Sequence, residues 1–248
     1  MGYEVSAYLS RGVLIDTGFP RVLGELAAWF SAARPVGAIV THAHEDHAGN
    51  VEWLSGRVPI QLSPDTERMV RAPKPIGLYR RVCWGSAAPL HASPEPYANT
   101  AFELLPARGH SPDHHVVWDA ERETVFGGDL FVGVKVRIAH PGEDIRGTVR
   151  SLRAVIALAP KRFFDAHRGP LERPLDQLRA KLGWMEETIG EIDRLSAAGW
   201  GDRAIRDAVL GREDLTGWVS GGDFARINFV RGVLGRPAEA PHHPPAAL

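Results

Sequence analysis

Short apolar or alternating segments recur along the first two-thirds of the chain. Segments of the strand type occupy 4–9, 12–15, 37–40 and 59–62, and a second series occupies 103–105, 116–118, 124–127 and 162–166. Between them, apolar residues three and four positions apart predict helices over 21–33 and 148–158, and a further helix opens over 50–54. Pro35 and Pro160 end the two longer helices, and residues 119–122 are predicted to form a hairpin turn. This alternation predicts a mixed α/β fold.

From residue 174 the pattern changes to one long helical period. Apolar residues recur three or four positions apart at Leu175, Leu178, Leu182, Met185, Ile189, Ile192 and Leu195. This spacing predicts a helix over 174–198 and is close to a coiled-coil seam. We interpret the apolar face as packing on its own domain, with a homodimer seam as the alternative. Further helices are predicted over 202–210 and 223–234, and the proline- and alanine-rich residues 237–248 are predicted to form a disordered tail.

Composition narrows the class of protein. The 248 residues are 44% hydrophobic and 24% charged, the balance of a soluble globular protein. A net charge of -1 argues against broad attraction to nucleic acid or acidic membranes. The single cysteine, Cys83, excludes an internal disulfide, and neither a membrane-spanning run nor a signal-peptide pattern is visible. We therefore expect a cytoplasmic protein without a membrane partner.

The segment THAHEDHAGN, residues 41–50, is called the histidine loop below. It places three histidines and two acids directly after an apolar strand. Imidazole and carboxylate groups are ligands for zinc, iron and manganese, and burying them without a cation would cost several kcal/mol. His42 and His44 can converge on one ion, and Asp46 and His47 on a second ion beside it. The loop therefore predicts a metal site.

Three more candidate ligands follow apolar strands elsewhere in the chain. His110 lies in GHSPDHH, Asp129 in FGGDL and His167 in DAHRGP. Each stands where a predicted strand meets a loop, which is where the sheet of an α/β protein collects its site residues. We expect these side chains to complete the metal site.

The segments LIDTG, THAHEDHAGN, GHSPDH, GGDL and AHRGP, in this order, resemble the metallo-β-lactamase superfamily over about residues 4–170. The layout is similar to the endoribonuclease-like branch of that superfamily. The resemblance implies a four-layer αββα sandwich, with the metals at one edge between two sheets. It also implies a catalytic domain over 1–172 and an appended helical, winged-helix-like region over 173–236, before the tail 237–248.

The resemblance also implies roles for individual residues. One ion would be bound by His42, His44 and His110, a second by Asp46, His47 and His167, and Asp129 would bridge the two. Asp16 would brace the histidine loop by hydrogen bonds. Glu45, at a variable position of the motif, would be a bystander. The implied cofactors are two divalent ions, zinc first, with Mn²⁺ and Fe²⁺ as alternatives.

The activity implied is that of a binuclear metal-dependent hydrolase. A hydroxide bridging the metals would attack the carbonyl of a small ester, thioester, lactone or lactam, and Asp46 and Asp129 would be the catalytic carboxylates. A phosphodiesterase or endoribonuclease acting on single-stranded RNA is the alternative, although the near-zero charge speaks against a nucleic-acid partner. An iron persulfide dioxygenase is a further alternative, although a full second ligand set speaks against a single iron.

Basic residues offer candidate contacts to the substrate. Arg80 and Arg81 end a basic stretch over 68–81, which is either a lid that recruits an anionic small molecule or a solvated loop. Lys135, Arg137 and His140 follow Asp129 in VGVKVRIAH. They either line the cleft or belong to an ordinary half-exposed strand, which shows the same alternation.

Overall fold

A computed structural model describes residues 4–98 and 100–237, and its strands form two sheets. The first sheet contains, in spatial order, β1 (Tyr8–Ser10), β2 (Val13–Ile15), β3 (Gly37–Ile39) and β4 (Ile60–Gln61). β1 and β2 are antiparallel, whereas β2, β3 and β4 are parallel. The parallel pairs are possible because α1 (Leu23–Ala33) and α2 (Val51–Leu54) carry the chain back to the same edge.

The second sheet contains, in order, β5 (Glu103–Pro106), β6 (His115–Asp119), β7 (Thr124–Phe126), β8 (Arg162–Asp165) and β9 (Gly169–Pro170). β6 and β7 are antiparallel, as the predicted hairpin requires. β7 and β8 are parallel, and α5 (Ile145–Ala157) forms the connection between them. All the predicted strands over 103–166 and the helix over 148–158 are confirmed, with shifts of up to three residues at their ends.

The two sheets pack face to face and a helical layer covers each outer face. Between the sheets lies an apolar cluster that includes Val13, Ile15, Ile39, Val117 and Phe126. Alternate residues of the same strands point outward, so Leu14 and Ala38 pack with helices α1 and α2, and Val125 and Phe163 pack with α5 and the C-terminal helices. Strands buried on both faces read as continuous apolar runs. The arrangement is the αββα sandwich that the sequence predicts.

The C-terminal region is built from helices α6 (Pro174–Ala197), α7 (Asp202–Val209), α8 (Leu215–Val219) and α9 (Arg226–Leu234). The predicted seam of α6 faces its own chain. Leu178 and Ile192 are fully buried in a cluster that also holds Leu152 of α5, Ile205 of α7 and Phe229 of α9. This packing supports the interpretation of a helix packed on its own domain and accounts for the seam without a second copy.

No helix in the described part of the chain combines the length and apolarity needed to cross a bilayer.

Several elements differ from the predictions. Residues 64–83 contain α3 (Pro64–Arg71) and α4 (Leu78–Cys83), where we expected a loop or lid. Ser63 caps α3, since its Oγ accepts a hydrogen bond from the backbone N–H of Thr66 at 3.1 Å. Residues 132–140 are not a strand, because Val132 has a left-handed φ of 52° and only Ala139 forms a β-bridge. The predicted tail falls, from residue 238 onward, outside the described residues.

Candidate metal centre

The histidine loop begins at the end of β3, beside the end of β2. Asp16 follows β2 with a left-handed φ of 61°. Its Oδ1 accepts a hydrogen bond from the backbone N–H of Thr41 at 2.8 Å, and its Oδ2 lies 2.9 Å from Nδ1 of His47. Because Nδ1 of His47 is engaged there, Nε2 is left to face the site. Asp16 therefore contacts the loop in the way that a bracing role requires.

A second carboxylate holds the same loop from the other sheet. Asp113 accepts a hydrogen bond from the backbone N–H of Ala43 at 2.8 Å and another from the Ser111 hydroxyl at 2.8 Å. Asp113 is not among the predicted site residues, although its position inside the motif GHSPDHH could have identified it. The loop is therefore anchored at both sheets, which favours a fixed arrangement of donors.

Four side chains form the first donor group. His42, His44, His110 and Asp129 each offer one atom, and these atoms all lie within 4.8 Å of one another. Nε2 of His110 is 3.0 Å from Nδ1 of His44 and 3.2 Å from Oδ2 of Asp129. Nδ1 of His42 is 3.0 Å from the Thr41 hydroxyl, so its Nε2 is the atom that points inward.

Four side chains form the second donor group, and Asp129 belongs to both. Asp46, His47, Asp129 and His167 also offer atoms within 4.8 Å of one another. Nε2 of His47 and Nε2 of His167 each lie 3.1 Å from Oδ1 of Asp129. Asp129 thus presents one oxygen to each group, and all seven predicted ligands lie together.

The donor atoms fit a divalent cation. Nε2 of His42, Nε2 of His47 and Oδ1 of Asp129 are buried atoms that find no hydrogen-bond partner among the described residues. Nε2 of His47 and Oδ1 of Asp129 lie close together but not in the geometry of a hydrogen bond, as expected when both atoms point at a common third position. An unsatisfied buried polar atom costs roughly 1–3 kcal/mol, which a bound ion would offset. Imidazole nitrogen with carboxylate oxygen is the donor set of zinc, iron and manganese sites.

The electrostatics of the two groups differ. Burial holds the pKa of His42 and of His44 well below the ordinary value, and neighbouring histidines add to this effect. Burial is the largest single effect on His47 and His167 and would lower their pKa, but Asp129 and the neighbouring carboxylates together outweigh it. The pKa of His47 rises well above its ordinary value and that of His167 rises to about 9. Burial would raise the pKa of Asp129, but these two imidazoles hold it well below its usual range. A cation entering the second group therefore displaces protons.

Two further polar side chains support the donors, and neither is among the predicted site residues. Glu143 lies 3.1 Å from Nδ1 of His110 through its Oε1, and it also accepts from the backbone N–H of His140 at 2.9 Å. Nε2 of His114 accepts a hydrogen bond from the backbone N–H of Asp129 at 3.0 Å. Burial lowers the pKa of His114 to about 3, so this imidazole is neutral and can accept. Such contacts orient ligands.

The centre opens into a cavity of about 450 Å³. Of the five predicted substrate contacts, Arg80 and His140 line this cavity. Arg81, Lys135 and Arg137 are exposed and lie outside it, which corrects the expectation for these three. In the segment 132–140, alternate residues such as Val136 and Ile138 face the cavity, so the cations between them point to solvent.

Glu45 is not a bystander. It is 5% exposed, and its two carboxylate oxygens accept from Nε and a terminal nitrogen of Arg80, both at 2.6 Å. This bidentate pair ties α4 to the histidine loop. Arg68 and Arg71, from the predicted basic lid, are also paired, with Asp65 and Glu67. These three guanidinium charges already have carboxylate partners, which speaks against the interpretation of this stretch as a basic lid.

The C-terminal helices complete the cavity wall. On α6, the side chains of Lys181, Trp184 and Met185 line the cavity, and Phe229 of α9 lies beside them. Positions 181, 184 and 185 share one helical face. The cavity therefore combines the metal edge of the sandwich with a surface from the appended region.

Comparison with known proteins agrees with this geometry. A family model described as the Metallo-beta-lactamase superfamily matches residues 5–167. The Beta-lactamase-like protein 2 homolog of Drosophila melanogaster is 28% identical over 182 residues, which cover 68% of this chain and 59% of that protein. The chain thus matches little more than half the length of this relative.

Two solved structures share the fold. A metallo-beta-lactamase family protein from Thermus thermophilus has a TM-score of 0.63 at 14% identity, covering 92% of this chain and 84% of its own. TTHA1623 in a di-iron-bound form has a TM-score of 0.55 at 28% identity, covering 71% of this chain and 96% of its own. With motifs, fold and donor geometry in agreement, the chain belongs to the metallo-beta-lactamase superfamily.

Proposed function

We propose that this chain is a binuclear metal-dependent hydrolase that acts on the carbonyl of a small ester, thioester, lactone or lactam. The observation that carries the proposal is the sharing of Asp129 by two donor groups that open into one cavity of about 450 Å³. A cavity of this size suits a small molecule. Superfamily members are mostly metal-dependent hydrolases, which supports the reaction class.

The donors divide naturally between two ions. His42, His44 and His110 would hold one ion, Asp46, His47 and His167 the other, and Asp129 would bridge them. When bound, the ions supply Lewis acidity and lower the pKa of water, so that hydroxide is available near neutral pH. Zinc suits the donors, and the di-iron form of TTHA1623 adds iron to the candidates alongside manganese.

The remaining residues of the site hold a proton and shape the cavity for the substrate. Asp46 lines the cavity, and its Oδ2 lies 3.7 Å from Nε2 of His47 and 3.8 Å from Nε2 of His167. It is placed to hold a proton at the boundary between donors and substrate. Arg80 lies at the same wall with its guanidinium fixed by Glu45. Apolar side chains such as Ile138 and Trp184 exclude water from the rest of the cavity.

The experiment is metal reconstitution followed by a paired substrate screen. The full chain is stripped with a chelator and reloaded with Zn²⁺, Mn²⁺ or Fe²⁺. It is then assayed on a lactone, a thioester, a lactam, a bis-aryl phosphodiester and single-stranded RNA. We expect two equivalents of metal and turnover of a carbonyl substrate. Cleavage confined to RNA would instead favour an endoribonuclease. One equivalent of iron with oxygen uptake on a persulfide would favour a dioxygenase.

A further inference from the structure

Lys181 is a buried cation in the wall of the cavity. It is 5% exposed, and burial lowers its pKa to about 8. Its Nζ donates to the carbonyl oxygen of Phe131 at 2.5 Å, and in the described part of the chain no carboxylate forms an ion pair with it. An ammonium has three donors, and burying one with a single acceptor costs several kcal/mol. Burying Lys181 here lowers the stability of the fold unless a ligand supplies further acceptors for its ammonium group.

Arg168 is a second cation that lines the same cavity, and its side chain is exposed to solvent. It follows His167 directly, and its Nε donates to the carbonyl oxygen of Val132 at 2.9 Å. Its two terminal nitrogens form no ion pair within 4–98 and 100–237. A guanidinium has five N–H donors, so the terminal nitrogens of Arg168 remain open to an anion in exchange for water.

These two cations converge on one short segment of backbone. Their acceptors are the carbonyls of Phe131 and Val132, adjacent residues whose Cα atoms are about 3.8 Å apart. Asp165 fixes the segment, since its Oδ2 accepts from the backbone N–H of Val132 at 2.8 Å and its Oδ1 accepts from that of His167 at 3.0 Å. Both cationic side chains are therefore tied to the same backbone segment, which begins two residues beyond Asp129, and both line the cavity.

The other charged side chains of the cavity wall are already compensated, apart from the exposed Glu4. Arg80 is paired with Glu45, and Glu143 with His110. Asp46 and Asp129 lie among the imidazoles of the donor groups. The buried Asp165 carboxylate acts on Lys181 from behind the wall without forming an ion pair in the described part of the chain. Lys181, Arg168 and Asp165 together therefore leave one net positive charge at this part of the cavity.

We propose that Lys181 and Arg168 form a binding subsite for an oxyanion, a carboxylate or a phosphate, on the substrate at a position remote from the bond that is cleaved. The identity of that bond rests on the proposed function, whereas the oxyanion contact does not. Apolar side chains, including Val136, Ile138 and Met185, cover much of the remaining wall. The substrate is therefore an anionic acyl compound with a short apolar portion.

The first test measures binding without turnover. Calorimetry on the metal-loaded chain compares N-methylglutaramate, its phosphonate counterpart and neutral N-methylpentanamide, which carry the same inert amide. We expect one of the two anions to bind at least tenfold more tightly than the neutral amide, and the stronger one identifies the preferred oxyanion. The preference should disappear in Lys181→Met, weaken in Arg168→Gln and be retained largely in Lys181→Arg. A wild-type chain that binds all three equally would overturn the subsite.

Lys161→Met is the matched control, because Lys161 is an exposed lysine that pairs with Glu123 far from this wall. It should keep the full preference. If Lys181→Met does not fold, Lys181→Arg and Arg168→Gln still decide the question. A preference that persists unchanged in both Lys181→Met and Arg168→Gln would also contradict the proposal.

The second test separates the subsite from the reaction. Hydrolysis of the glutaryl monothioester of N-acetylcysteamine is compared with that of the pentanoyl thioester. We expect a higher kcat/KM for the anionic thioester, through a lower KM, and Lys181→Met should remove this difference. Turnover of both thioesters at equal kcat/KM would agree with the hydrolase proposal and contradict the subsite. Anion-selective binding without turnover of either thioester would support the subsite and contradict the hydrolase proposal.

Discussion

At the scale of single residues, Asp129 is the side chain that belongs to both donor groups. One of its oxygens faces His110, and the other faces His47 and His167. A carboxylate bridges two cations well because it has two acceptor oxygens and a full negative charge. An amide of the same shape keeps one acceptor and no charge.

Asp129→Asn should therefore lose metal from both donor groups. We expect the metal content to fall from about two equivalents to well below one, and turnover to fall by at least ~10³-fold. Mass spectrometry of the metal, together with kcat, checks this. Asp193→Asn, which removes an exposed carboxylate paired with Arg146, should change neither quantity. Full metal content in Asp129→Asn would show that Asp129 does not bridge.

Lys181 provides a prediction about pH. Its pKa is about 8 in the folded chain against an ordinary 10.5, so between these values the unfolded chain binds a proton that the folded chain has released. The free energy of unfolding therefore rises with pH across this window, by about 3 kcal/mol at most.

Lys181→Met cannot show this rise. Compared with it, the metal-free wild type should gain stability between pH 7 and pH 10, measured by denaturant unfolding at each pH. Lys161→Met should follow the wild type, because Lys161 is exposed. A stability difference between wild type and Lys181→Met that does not change with pH would mean that Lys181 keeps an ordinary pKa.

At the scale of elements, the contact between α4 and the histidine loop depends on one ion pair. Glu45 and Arg80 form two hydrogen bonds of 2.6 Å in a largely buried position. Removing one partner leaves the other charge buried and alone, which is more costly than losing a surface pair.

Glu45→Gln should loosen α4 without emptying the metal centre. We expect faster amide hydrogen exchange over 78–83, a raised KM and metal content near that of wild type. Arg68→Gln breaks an exposed pair on the neighbouring α3 and should leave exchange over 78–83 unchanged. Unchanged exchange in Glu45→Gln would show that the pair does not hold α4.

The apolar seam of α6 gives a second prediction at this scale. Ile192 is fully buried among α5, α7 and α9, whereas Leu175 is only half-buried. Ile192→Ala should lower the free energy of unfolding by about 2–5 kcal/mol, and Leu175→Ala by clearly less. Denaturant titration at two protein concentrations checks this. A loss of stability that depends strongly on protein concentration would instead favour the seam as a dimer interface.

Some of these helices and strands could be predicted from the sequence, and others could not. Strands buried on both faces and helices with a clear apolar period could be predicted, because burial imposes the pattern directly. The short helices α3, α4 and α8 could not, since they bury few residues and depend on caps such as Ser63 and Asp214. Apolar and polar residues alternate over 132–140 as they do in a half-exposed strand. Here the alternation arises because one side of an irregular segment lines the cavity.

At the scale of the whole molecule, the donors could be predicted, and the cavity wall could be predicted only in part. His42, His44, Asp46 and His47 are adjacent in sequence, and the remaining ligands stand at strand ends that a sheet edge brings together. Arg80 and His140 are predicted substrate contacts that do line the wall, whereas no motif predicts that Lys181, Trp184 and Phe229 of the helical region lie there. Only the packing of α6 and α9 against the sandwich places them on one surface.

We propose that two ions, bridged by Asp129, are both needed for hydrolysis. The most direct measurement is a titration of the metal-stripped chain with Zn²⁺ or Fe²⁺, in which bound metal and turnover of the preferred carbonyl substrate are followed together. We predict saturation at two equivalents per chain, with most of the turnover appearing as the second equivalent binds. Full turnover at one equivalent, or two tightly bound equivalents without hydrolysis of any carbonyl substrate, would contradict this account.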